Sequence, residues 1–301
     1  MEAGPLSMLL GHALFGVVPV LLKLGLQGGL DTSSAVVMRF AVALGMVFGL
    51  AWGAAKWWPR GRKELSLAPV NRRGLFWRGV WGGVAVLTFF FAVQLCGAGL
   101  GTLLNYTLTL WSNVFGALFF GHRPAKGFWP LLALAALGLW LVIDPSGGPG
   151  SHAGIVIGLL SGMAGGAAVL TIKNLRRTDN ALTINLALAL GGLALGLPLM
   201  ALRGLQGTPV LLPQAGPWAW VALSGVFSFG GQYYFNHGFK GTSVALASLI
   251  ALSTPVLACL SGWLFLGEAL TPHFLAGALC ILVACGAMGW SERMAAAPGS
   301  A

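Results

Sequence analysis

The residues of this chain that could do chemistry sit inside long apolar stretches, where each is costly enough to call for a role. His12, Gly16, Pro19 and Lys23 are spaced 4, 3 and 4 apart, which places them on one face of a helix. Lys23 either attracts a substrate carboxylate or snorkels to the interface. His12 and His237 either carry a proton, since imidazole titrates near neutral pH, or are hydrogen-bonded structural groups. Pro19 cannot donate its backbone hydrogen bond, so the spacing predicts a helix break that belongs beside protein or a cavity. Arg39 lies inside the second apolar stretch, where its forked donors suit a carboxylate or phosphate, or else hold backbone carbonyls or headgroups.

Three further stretches carry neutral polar groups. Asn105, Thr109, Ser112 and Gly116 share one face of the fourth, with Tyr106, Trp111 and Asn113 beside it. Ser228, Gln232 and Asn236 follow fourfold spacing in the eighth, with Tyr233 and Tyr234 adjacent. The ninth holds Ser253, Thr254 and Pro255, which reads as a second helix break. Neutral donors with aromatic walls suit a small amphipathic solute in a mostly apolar pocket, or alternatively bond helix to helix.

The seven acidic residues all fall in loops, tails or the edges of apolar stretches. No midplane carboxylate is therefore available for proton relay or cation binding. The stretches hold no carboxylate pair, HExxH sequence or Cys/His ligand cluster, so no catalytic residue, metal or cofactor is expected. Cys96, Cys259, Cys280 and Cys285 read as small packing residues. A carrier is favoured over an intramembrane enzyme or a channel.

The elements that must position these groups follow from composition. With 57% apolar and 8% charged residues, the chain is unlike a soluble domain. Ten apolar spans are predicted: Leu6–Leu26, Ala35–Ala54, Gly79–Ala98, Thr102–Phe120, Phe128–Ile143, Gly154–Ile172, Leu182–Leu202, Trp218–His237, Ser243–Leu266 and Pro272–Trp290. The first lacks the basic flank and cleavage pattern of a signal peptide and is expected to be retained. The net charge of +10 raises nucleic acid as a partner, but its placement argues for topology instead. All but three of the 17 lysines and arginines, Arg78 among them, fall on one side of the ten spans; Lys23 and Arg203 fall on the other and Arg39 within a span. The positive-inside rule then places both termini in the cytoplasm, with the lipid bilayer and a small solute as the partners.

Gly116-Ala117-Leu118-Phe119-Phe120-Gly121-His122 returns 146 positions later as Gly262-Trp263-Leu264-Phe265-Leu266-Gly267-Glu268, and Asp31 returns as Asp179. Five spans per half is an odd number, so the halves must be inverted, an architecture common in secondary transporters. The predicted fold is an all-α integral membrane protein of ten transmembrane helices in two inverted five-helix repeats, residues 1–148 and 149–291, with a short cytoplasmic tail at 292–301.

The repeat, the five spans per half, the cytoplasmic termini and the Leu264-Phe265-Leu266-Gly267-Glu268 turn together resemble the EamA-type branch of the drug/metabolite transporter superfamily. The resemblance implies a carrier of the bacterial inner membrane that exports amino acids or related metabolites. It also implies a central cavity lined chiefly by spans one, three, four, six, eight and nine. The sequence departs from the family pattern at His122, where an acid is usual. Glu268 itself is expected near the positive end of the last helix, which Thr271 caps and Pro272 starts. The resulting expectation is alternating access with a binding site among His12, Lys23, Arg39, Asn105, Tyr106, Thr109, Trp111, Gln232, Tyr233, Asn236 and Thr254; a broad multidrug exporter is the alternative.

Overall fold

The computed structural model describes residues 3–57, 65, 67–120, 127–142, 151–239, 250–251 and 253–295, and all regular structure among them is helical. The helices are α1 (Ala3–Gln27), α2 (Thr32–Trp57), α3 (Arg72–Cys96), α4 (Ala98–Tyr106), α5 (Leu108–Phe120), α6 (Phe128–Val142), α7 (His152–Leu175), α8 (Ala181–Leu205), α9 (Ala215–Gly238), α10 (Ser253–Leu266) and α11 (Pro272–Ala295). Gly4–Gln27, Thr32–Ala54, Arg72–Cys96, His152–Leu175 and Ala181–Leu205 are long and apolar enough to cross a membrane. Gly121, His122, Lys240 and the start of the ninth predicted span at Ser243 lie outside the described residues.

Local chemistry sets the helix starts. Asn71, Ser151, Asn180 and Thr271 each accept a hydrogen bond from the backbone amide three residues on. The Asn71 cap starts α3 at Arg72, seven residues earlier than hydropathy predicts, and so draws Arg78 into the helix.

One expected interruption is absent and an unexpected one is present. The helix continues through Pro19, where the missing amide costs one bond that the remaining ladder of α1 absorbs. Residues 250 and 251 are helical and α10 starts at Ser253, so Pro255 stands in a first turn, beside residue 252, which lies outside the described residues. The fourth span is broken instead at Thr107, whose hydroxyl donates to the Leu104 carbonyl at 2.7 Å. The expected polar face of Asn105 and Thr109 is therefore divided between α4 and α5.

Helix α1 packs on α9 and α10, α3 on α7 and α8, and α2 on α8 and α9. α7 also contacts α4 and α5, α4 contacts α10, and α6 packs on α11. Small residues permit the closest approaches: a Cβ on Gly11 would lie 2.8 Å from the Gly231 carbonyl oxygen, and one on Gly191 would collide with the Gly79 backbone. Helix α3 with α8, and α1 with α9, thus meet backbone to backbone.

Charged side chains bind helix ends to one another. Lys23 donates to the carbonyls of Val93 and Gln94 in the last turn of α3, at 3.2 and 3.0 Å. Gly97 then turns the chain at φ +88°, and the Glu268 carboxylate accepts from Ala98 N at 2.5 Å and Gly99 N at 2.9 Å. The acid therefore caps α4 and not the last helix, because the first amides of α4 are unpaired within their own helix and face its carboxylate. Asp179 accepts from Val70 N and Asn71 N at 2.8 and 3.1 Å, tying the start of α8 to the start of α3. Asp31 accepts from Ser33 and pairs with Arg203 at 2.8 Å.

Burial pushes the Asp31 carboxyl up, but hydrogen bonds from Ser33 and Arg203 outweigh it and hold the group below its ordinary value. A depressed carboxyl stabilises the fold above its unfolded pKa of about 3.9, and that contribution is lost as pH falls through the folded value. Detergent unfolding midpoints are expected to fall on acidification below about pH 4 with a shallower limb in Asp31→Asn; equal acid limbs would contradict the tie. Glu268→Ala is expected to destabilise by about 1–3 kcal/mol, the scale of an unsatisfied helix terminus; an unshifted melt would show that the α4 amides find another acceptor.

Candidate functional site

One cavity of about 160 Å³ opens among α1, α2, α3, α4, α7, α8 and α9, with Thr254 of α10 at its edge. Its wall is mostly apolar and aromatic, from Phe15, Phe89, Phe90 and Phe235. Two guanidinium groups enter this apolar space: Arg39 is 6% exposed and Arg78 is 3% exposed. Neither has an acidic partner among the described residues, where Arg203 and Asp31 form the sole ion pair. The Arg39 guanidinium lies 4.8 Å from the Phe40 ring centre and 5.8 Å from that of Phe90. Both rings are within the range of a cation–π contact.

Neutral groups complete the lining. His12 Nδ1 lies 2.9 Å from Thr254 Oγ1 and 3.3 Å from the Tyr106 hydroxyl, and the Thr254 hydroxyl donates to the His12 carbonyl at 3.0 Å. This triad links α1, α4 and α10 at one end of the wall. Asn105 donates to Ser161 at 2.6 Å, and Ser161 donates to the Ala85 carbonyl at 2.8 Å. Gln232 donates to Asn236 at 3.2 Å. Buried Nε2 of His12, Nε of Arg39, Nε of Arg78 and Oγ of Ser228 lack a hydrogen-bond partner within the protein, and all four residues line this cavity. Buried polar atoms are ordinarily paired, so their convergence marks a place where a polar ligand completes the network.

Of the residues singled out by sequence, His12, Arg39, Asn105, Tyr106, Gln232 and Thr254 meet in the cavity. Lys23 does not, since its ammonium is bound to the end of α3. Asn236 is fully buried and donates to Asn185 at 2.8 Å, joining α9 to α8. Thr109 is buried outside the lining, Trp111 stacks on Phe115 at 6.0 Å, and Tyr233 stacks on Phe229 and His237. Pro19 and Pro255 likewise stand outside the lining.

Sequence counting placed Arg78 with the loop charges, and the Asn71 cap is the signal that would have moved it inside. The cavity also takes Arg39 from α2 and Leu188 from α8, two helices outside the set that the family resemblance implies. Chemically, the arrangement can bind and orient a polar solute: it offers forked cationic donors, an imidazole and amides. Among the described residues no three His, Cys, Asp or Glu side chains lie close enough to hold a metal ion.

Comparison with known proteins places this geometry in context. A model of the EamA-like transporter family matches residues 3–144 and 152–290. The Pseudopaline exporter CntI of Pseudomonas aeruginosa is 23% identical over 296 residues, covering 97% of this chain and 98% of that protein. An uncharacterized transporter of Archaeoglobus fulgidus is 26% identical, with 97% and 98% covered. The uncharacterized protein PA1977 of Pseudomonas aeruginosa is 32% identical over 216 residues, with 68% and 71% covered. A solved crystal structure superposes with a TM-score of 0.67 at 18% identity, over 98% of this chain and 99% of that chain, and so shares the fold.

Removing a buried charge that has no internal partner relieves its desolvation. Arg78→Met is therefore expected to stabilise the purified protein by about 1–4 kcal/mol, the scale seen when buried charges are exchanged for apolar residues of similar volume. A lowered unfolding midpoint in detergent would show that the guanidinium is held by groups of the protein itself.

Proposed function

The chain belongs to the EamA-like transporter family, and from that premise we propose that it is a secondary transporter exporting a small metabolite that bears a carboxylate, such as an amino acid, by alternating access. The observation that carries this reading is the pair of buried arginines in a cavity lined, among the described residues, by no acid. Their charge favours an anionic group on the solute, and the aromatic wall accommodates the rest of it. The same charge disfavours the lipophilic cations that a multidrug exporter would take. That CntI is named an exporter supports the direction of transport.

Two inverted repeats are supported by the pairing of helices. If α1, α2, α3, α4–α5 and α6 correspond to α7, α8, α9, α10 and α11, the most extensive packings between the two halves have counterparts: α1 on α9 answers α7 on α3, α2 on α9 answers α8 on α3, and α1 on α10 answers α7 on α4 and α5. The pairs α2 with α8, α4 with α10 and α6 with α11 map onto themselves. The family model matching two successive segments, and Ser253 starting α10 at 146 positions after Thr107, agree with this. In alternating access, the substrate site stays between the halves while their packing exchanges. The proposed setting is the bacterial inner membrane with both termini cytoplasmic, supported by the distribution of basic residues.

Reconstitution into liposomes followed by counterflow with an amino-acid panel tests the reading. Saturable exchange of at least one panel member is expected; efflux of lipophilic drugs with no exchange across the panel would overturn it.

A further inference from the structure

We infer that the solute is a small dicarboxylate, with one carboxylate held by Arg39 and the other by Arg78. This rests on the metabolite-transporter reading above and specifies its substrate class. The two cations share one low-dielectric cavity of about 160 Å³, and among the described residues no carboxylate lines it. A solute with a single carboxylate neutralises one guanidinium and leaves its neighbour buried and uncompensated, which is the costly state. Two carboxylates neutralise both.

The donor geometry favours the same answer. Each Nε is buried and lacks a partner among the described residues, and a guanidinium is a planar fork suited to gripping a carboxylate through two parallel hydrogen bonds. Arg39 comes from α2 and Arg78 from α3, so two helices each bring one cation to the same cavity, and the like charges oppose each other until anionic groups join them. Phe40 and Phe90 stand beside the Arg39 guanidinium. His12 and Ser228 line the same cavity and are the neutral groups available to a further polar substituent of the solute.

The test uses the purified full-length protein in liposomes loaded with L-glutamate, succinate, L-leucine or glycerol 3-phosphate, each read by uptake of its own radiolabel. Glutamate or succinate is expected to half-saturate at a concentration at least ~10-fold below that of leucine, the scale of one charge-assisted bidentate contact. Arg39→Gln and Arg78→Gln are each expected to remove that preference, with melts confirming that the variants are folded. The ranking in the unmodified protein stands by itself should a variant fail to fold. Leucine exchanged as well as the dicarboxylates would overturn the dicarboxylate assignment and leave the metabolite reading intact. Preference for glycerol 3-phosphate would overturn it in favour of one dianionic group. No saturable exchange of any probe would overturn both readings.

Discussion

An apolar chain that interrupts its helices must answer every backbone group the interruption exposes, because hydrocarbon offers no substitute partner. The corner at Gly97 shows how strictly this holds. The last carbonyls of α3 receive the Lys23 ammonium, and the first amides of α4 receive the Glu268 carboxylate. Each charge matches the polarity of the helix end it meets. A Cβ at Gly97 would stand 2.6 Å from Glu268 Oε1, so the residue that makes the turn also leaves room for its cap. Three helices meet at this corner, and the cavity wall carried by α3 and α4 depends on it.

The same constraint divides the charges of the protein into two populations. Asp31, Asp179 and Glu268 are each bound to helix ends or to the segments that precede them. Lys23 is bound in the same way. Among the described residues no acid is left to neutralise Arg39 or Arg78, and those two stand in the interior with part of their donor capacity unused. Packing elsewhere relies on glycine contacts such as Gly11 with Gly231, so polarity inside the bundle is concentrated where the cavity lies. The cost of keeping two cations there is what gives the cavity its affinity for negative charge.

Much of this was legible in the sequence because hydropathy and helical period are local properties. The apolar spans locate the helices, and the polar faces bring His12, Arg39, Asn105, Gln232 and Thr254 to notice. Period tells which residues point the same way but not what they point toward. Lys23 shares a face with His12 and yet meets the end of α3; Asn236 follows Gln232 by one turn and yet faces α8. Arg78 escaped because a hydropathy window begins a span where charges stop, whereas the helix begins at its cap. The Thr107 break escaped for a related reason: no proline or glycine marks it, and the Leu104 carbonyl is answered by a threonine hydroxyl.

The corner at Gly97 also sets an order of events during synthesis. Ala98 and the glutamate that caps it are 170 residues apart, so at about 5–20 residues per second roughly 10–30 s separate their emergence from the ribosome. Through that interval the amides that begin α4 have no acceptor from their own chain. Lys23 is already present and can fasten the other side of the turn from the outset. The first side of the joint can therefore close well before the second, and Glu268, which follows the ninth apolar segment, arrives with only the last helix still to be made.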